Sequence, residues 1–232
     1  MSWPERLPRG SDNAVVMTAL GGWLVLLATP RALGLPALCG SPDVLAAVAA
    51  GAWRLAAATI SPGRLLAGWA GMALAMMLPL AAPQLRHIVR RGGPGAPLGV
   101  AAFLTSWLAV WIMALAVLAA LGGLLTLELG AVGAAAAAFL FALGWQHTPT
   151  KYKALRRCHA CPPLPWERPA LAAACLRLGF STGTHCIAGC WAVMLATMVL
   201  PWPLLAMLGG SALLWTERYW RRMPLGWPLM YR

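Results

Sequence analysis

Apolar residues gather along this chain into long runs, separated by short clusters of arginine, lysine and proline. A helix needs about 20 apolar residues to cross the hydrocarbon core of a bilayer. Six runs approach that length: Asn13–Thr29, Leu65–Leu85, Leu98–Leu125, Leu127–Trp145, Gly183–Leu200 and the shorter Trp202–Trp215. Pro201 and Pro203 part the last two into a tight hairpin, because proline lacks the amide hydrogen that a continuous helix uses. Pro79 and Pro83 bend or break the second run near its end. The stretch Asp43–Ile60 is also apolar, and Leu45, Val48, Ala52, Leu55 and Thr59 recur in it at helical spacing. Arg54 in its second half would cost about 2.5–3.5 kcal/mol at the centre of a membrane. This stretch therefore reads as a helix lying on the outer interface, with a seventh span as the alternative.

The pattern predicts an all-α, polytopic membrane helix bundle: six transmembrane helices plus one interfacial helix, in a single integral membrane domain over residues 1–232. The longest polar connection, residues 146–182, reads as a basic cytoplasmic loop. No small-x-small site follows the first run, so it reads as an uncleaved span.

Composition narrows the class. Only 10% of the 232 residues are charged and 60% are hydrophobic, with a mean hydropathy of +0.70. Soluble domains carry roughly 25% charged residues, so a soluble enzyme would have too little polar surface. Disorder, a disulfide-rich miniprotein and a collagen-like repeat are excluded on the same grounds. Yet the net charge is +12, which raises the question of nucleic-acid binding. The placement of the charge answers it. With a cytoplasmic N-terminus, 3 of the 18 basic residues (Arg31, Arg54 and Arg64) fall outside and the other 15 inside. That is the positive-inside asymmetry of a membrane protein, with a cytoplasmic C-terminus and anionic lipid headgroups as the partner of the charge. A seventh span with an outer N-terminus would leave every residue from Leu65 onward on the same side.

The candidate chemistry is soft. Cys186 and Cys190 lie one turn apart in the fifth run, with Met194 and Met198 continuing the i, i+4 ladder and His185 beside it. Met72, Met76 and Met77 occupy the second run. Thiolates and thioethers select Cu(I), although methionine is also ordinary core filling and a small cysteine suits helix packing. The second run points inward and the fifth outward, so Met72 and Met198 lie towards the outer side and Cys186 and Cys190 towards the inner. If the two helices touch, their sulfurs form a ladder across the bilayer. Cys158-His159-Ala160-Cys161 in the loop adds a C-x-x-C able to hold a soft metal or exchange thiols, flanked by Arg156 and Arg157. His87, among arginines, reads as an interface residue, and Glu217 is placed to pair with Arg221. No Ser/His/Asp grouping, paired carboxylates or phosphate-binding glycine loop is present, so no hydrolytic enzyme is expected.

Three segments resemble a known family, the predicted metal-binding integral membrane proteins of bacteria, some of which are described as copper chaperones for tyrosinase-like copper oxidases. They are Trp69-x-x-Met72-x-x-x-Met76-Met77-x-Pro79; Thr148-Pro149-Thr150-Lys151 with Cys158 downstream; and Gly183 to Met194, containing Cys186, Cys190 and Trp191. Glu217-Arg218 at the end of the last run is similar as well. The chain departs from the family at Gly189, where the family has a further cysteine. The resemblance implies a non-enzymatic copper chaperone of the bacterial inner membrane. It would hold Cu(I) between the second and fifth spans through Cys186, Cys190, His185, Met194, Met198, Met72, Met76, Met77, Cys158 and Cys161, and deliver it to a copper-dependent oxidase. Two other readings stay open on the residues alone. One is a thiol-redox protein using Cys158/Cys161 and Cys186/Cys190, the latter pair about 6 Å apart at Cα but poorly aimed for a disulfide. The other is a small transporter or structural subunit without metal.

Overall fold

The structure, a computed structural model, describes residues 17–24, 62–158, 161–200 and 202–217, and every regular element among them is helical. Residues 17–24 form α1, inside the first apolar run. The rest of that run, the 43–60 stretch, Cys39, His159, Arg218 and Arg221 lie outside the described residues.

The second run is a helix interrupted by its prolines. α2 spans Pro62–Met77; a 3-10 turn, Leu78–Ala81, carries Pro79; and α3, Ala82–Arg91, restarts with Pro83 in its first turn. Proline is tolerated in a first turn because the amide it lacks would have no partner there. Arg90 and Arg91 close α3, where their charge suits the negative end of the helix dipole.

The third and fourth runs form one helical stretch of 51 residues, α4, Ala96–Gln146, interrupted at Gly130 (φ 68°, ψ 173°). Its two arms fold back on each other, as two sets of contacts require. Val110 lies against Gly183, while Phe141 and Trp145 pack on Trp191 at ring distances of 5.1 and 5.2 Å. At 1.5 Å per residue a straight rod would carry Phe141 about 46 Å beyond Val110, yet Trp191 is only about 12 Å beyond Gly183. The expected break between Leu125 and Leu127 thus lies a few residues later. Thr126, Leu127 and Glu128 remain helical, and reversal waits for a residue without a Cβ that can take a positive φ.

A second 3-10 turn, Gly93–Gly95, precedes α4, and the remaining helices are α5, Pro149–Arg157; α6, Arg168–Val199; and α7, Pro203–Trp215. α6 begins 15 residues before the apolar run that announced it. Arg168, Arg177, Ser181 and Thr182 interrupt hydrophobicity there but not the backbone helix. The expected 146–182 loop is therefore mostly helical: α5, a short connection and the first half of α6. Three described stretches are long and apolar enough to cross a membrane: Trp69–Arg91, Gly93–Gln146 and Arg168–Val199. α7, with 13 residues, is shorter. Met113, Val117, Leu121 and Leu124 form an exposed apolar stripe on the first arm of α4, and Val132 and Leu140 are exposed on the second.

The first arm of α4 and α6 run parallel at very close range. Gly99 faces Leu171 and Cys175, Gly179 faces Phe103 and Ser106, and Gly183 faces Val110. Gly95/Gly99 and Gly179/Gly183 are each i, i+4 pairs, the small-residue spacing that lets two backbones approach. A Cβ on Gly179 would overlap the Phe103 carbonyl and the Ser106 hydroxyl oxygen. We predict that Gly179→Ala lowers stability by about 1–3 kcal/mol, since backbone has to yield. Gly144→Ala, where nothing lies within 4 Å of the new methyl, should instead gain up to about 1 kcal/mol of helix propensity. Thermal unfolding of the detergent-solubilised chain separates the two, and equal midpoints for both variants would refute the close approach.

Candidate metal centre

Four pieces of structure surround the cysteines: α5, α6, the 3-10 turn after α2, and α7. α5 starts on Thr148, whose extended backbone and hydroxyl, accepting from the Lys151 amide at 3.3 Å, form an N-cap, with Pro149 at the first helical position. The helix then presents Lys151, Leu155 and Cys158 on one face, at i, i+4 and i+7. Two bonds from α3 hold the end of this segment: the Gln84 amide donates to the Cys158 carbonyl, and His87 Nε2 donates to the Pro162 carbonyl at 2.8 Å. His87, expected to face solvent among arginines, thus has a structural partner.

On α6, Cys186, Gly189 and Cys190 share one side. Trp191, the next residue, points elsewhere, into Phe141 and Trp145. The 3-10 turn contributes Leu80 and Ala81, and α7 contributes Leu214. Together these enclose a cavity of about 30 Å³ lined by Cys158, Cys186, Cys190 and Thr182 as well as apolar side chains. That is room for about one water-sized body and no organic ligand. Cys190 is buried, Cys186 half-buried and in hydrogen-bonding contact with it, and the Cys158 Sγ lies 4.0 Å from the Thr182 carbonyl. None of the five described cysteines forms a disulfide. The thiols are neighbours and not a closed coordination sphere: among the described residues, no three Cys, His, Asp or Glu side chains stand in ligating geometry.

The methionines lie further along the same buried core. Met72, Met76, Met77, Met194 and Met198 are fully buried in it. Met76 approaches Gly210 of α7 beside Val193 and Thr197, whereas Leu80 and Ala81 meet the cysteines. The α2 segment is therefore antiparallel to α6, with thiols at one end and thioethers at the other. Met207 of α7 is equally buried in this cluster and was not singled out from the sequence. Its run is short, and one isolated methionine has no spacing signal.

Two expected ligands are placed apart. Cys161 is exposed and does not line the cavity, whereas Cys158 shares its wall with Cys186 and Cys190. His185 is half-buried on another side of α6; its Nδ1 donates to the Ser181 carbonyl at 2.6 Å, which leaves the lone pair on Nε2. Cys175 is buried against Gly99, in helix packing.

Sequence reasoning also missed the strongest electrostatic feature. Lys151 Nζ donates to both Glu217 carboxylate oxygens, at 2.8 and 2.7 Å, with side-chain exposures of 0% and 1%. Glu217 is thus held by a residue 66 positions away; its expected partner by local spacing, Arg221, lies outside the described residues. Burial pulls the Lys151 ammonium below the ordinary lysine value, and the Glu217 carboxylate opposes that pull.

Residues 66–230 match the PpoB2 family, described as copper chaperone. The match covers most of the chain, which therefore belongs to the PpoB2 copper chaperone family. No curated protein and no solved structure matches it.

Burial orders the thiols by accessibility. Under non-denaturing alkylation of the detergent-solubilised chain, Cys161 should label first, Cys186 more slowly, and Cys158, Cys175 and Cys190 only on unfolding. Peptide mass spectrometry reads the order directly, and rapid labelling of Cys158 alongside Cys161 would contradict the cavity.

Proposed function

We propose that this member of the family is a polytopic inner-membrane protein that holds Cu(I) at the cavity formed by Cys158, Cys186 and Cys190, and passes it outward to a copper-dependent oxidase. One observation carries this: three thiols from two separate elements converge on a space the size of a single ion, in an apolar bundle. Soft thiolates favour Cu(I) over harder divalent ions, and Cu(I) accepts as few as two ligands, so Cys186 and Cys190 suffice to hold it, with Cys158 on the same cavity wall as a nearby third thiol. The buried thioethers Met76, Met77 and Met194, then Met72, Met198 and Met207, supply weaker ligands for onward movement. His185 and Cys161, outside the cavity, fit the receiving of copper at the surface. The cargo is carried and not chemically altered, so no catalytic residue is assigned.

The exposed apolar stripes on both arms of α4 suit contact with lipid. The parallel course of the first α4 arm and α6, both antiparallel to α2, fits a second span that runs opposite to the third and fifth, as both the six-span and the seven-span readings require. The concentration of basic residues on one side supports a cytoplasmic C-terminus.

The test is an anaerobic titration of the solubilised full chain with Cu(I) against a chromophoric Cu(I) chelator. The parent should take up about one tightly held Cu(I). Cys186→Ser/Cys190→Ser should weaken that uptake by at least about 100-fold, beyond what loss of an outer-shell partner does. Cys158→Ser should show a smaller loss, and Cys161→Ser should bind as the parent does. Equal affinity in the parent and the Cys186/Cys190 double variant would end this assignment.

A further inference from the structure

The cavity wall continues into an ion pair that copper ligation as such does not use. Lys151 precedes two lining residues on its own helix face, Leu155 by one turn and Cys158 by two. Glu217 follows the lining residue Leu214 by less than a turn on the other side. The two side chains meet at 2.7 Å with almost no exposure, and Lys151 acts electrostatically on Cys190. An ammonium has three donors. The two Glu217 oxygens take two of them, and the charge itself acts on the thiol cavity through space.

Anionic sulfur arises there on loading. Two neutral thiols that take up Cu(I) release two protons to solvent and become a complex of charge −1; a third thiolate would make it −2. A net negative charge in an apolar surrounding is strongly disfavoured unless a cation stands beside it. We propose that Lys151 is the built-in counter-charge of the thiol cavity, and that Glu217 holds it in place and tempers it, so that the pair sets the affinity for Cu(I). Because this role presupposes Cu(I) at the thiols, it deepens the copper assignment. It adds two positioning residues that touch no metal.

A counter-charge and a simple structural staple differ in sign. If charge is what matters, Lys151→Met leaves a lone carboxylate near the thiolates and weakens Cu(I) binding, whereas Glu217→Gln leaves the ammonium unopposed and tightens it. Each shift should be about tenfold or more, as expected for a unit charge several ångströms away at the effective dielectric of a protein. Lys151→Arg, which keeps the charge, should stay within a fewfold of the parent. A staple predicts that both neutralising variants lose affinity together. The experiment is the chelator competition described above, on the full chain in detergent, with Cu(I) alone as the probe. Should the single variants fail to fold, Lys151→Met/Glu217→Leu removes both charges without leaving either one buried and unpaired. That protein should bind Cu(I) more weakly than the parent, and unchanged or tighter binding overturns the proposal. Shifts of the same sign in the two single variants overturn it as well, while leaving the thiol site intact. A parent that takes up no Cu(I) overturns the copper assignment itself, and this role with it.

Discussion

A lysine with no exposed surface in an apolar bundle has to have an anion, and Lys151 has Glu217. Breaking a buried pair by removing one partner typically costs about 3–5 kcal/mol, because the survivor is left charged and unsolvated. That penalty restrains two short elements, each of which also packs on α6. α5 is nine residues long and largely polar, and α7 is too short to be a robust span. Tied together at Lys151 and Glu217, they bring Cys158 and Leu214 to the same small cavity that Cys186 and Cys190 line from α6.

The second constraint is the approach of α6 to the first arm of α4. Lipid chains are as apolar as leucine, so helices within a membrane gain little from hydrophobic burial and rely on close fit. Gly99, Gly179 and Gly183 provide that fit by bringing backbone against Phe103, Ser106 and Val110. Trp191 then fastens α6 to the returning arm through Phe141 and Trp145, and being one residue past Cys190 it helps set which way the thiol faces. The thiol end and the thioether end of the core follow from the antiparallel register of α2 against α6. Sulfur-bearing side chains, thiols first and thioethers after, therefore line one direction through the bundle.

Much of this was legible beforehand, for identifiable reasons. Long apolar runs announce helices because a membrane leaves backbone polar groups no other partners. Prolines at 79 and 83 announced the interruption between α2 and α3, and Thr148-Pro149 the start of α5. The soft character of the Cys186–Met198 ladder could be read from i, i+4 spacing alone. Other features escaped because the signal used was hydrophobicity and not helicity. α6 runs well below its apolar segment since Arg177 and Ser181 are compatible with a helix that packs on one side only. The turn between the arms of α4 sits at Gly130, a few residues past the predicted boundary, because backbone dihedral freedom and not polarity decides where a chain reverses.

What the sequence determined by itself was membership and chemistry: an apolar, asymmetrically basic helical chain with thiols and thioethers at helical spacing, similar to copper-handling membrane proteins. Tertiary structure alone decided which of those groups meet. Cys158 shares a cavity wall with Cys186 and Cys190, Glu217 pairs with Lys151, and Met207 joins a cluster that no spacing rule includes. Each of these is a contact between residues distant in the chain. Periodicity reports only which side of a helix a residue occupies; what lies against that side depends on how close two backbones can come and on which buried charges have to be matched.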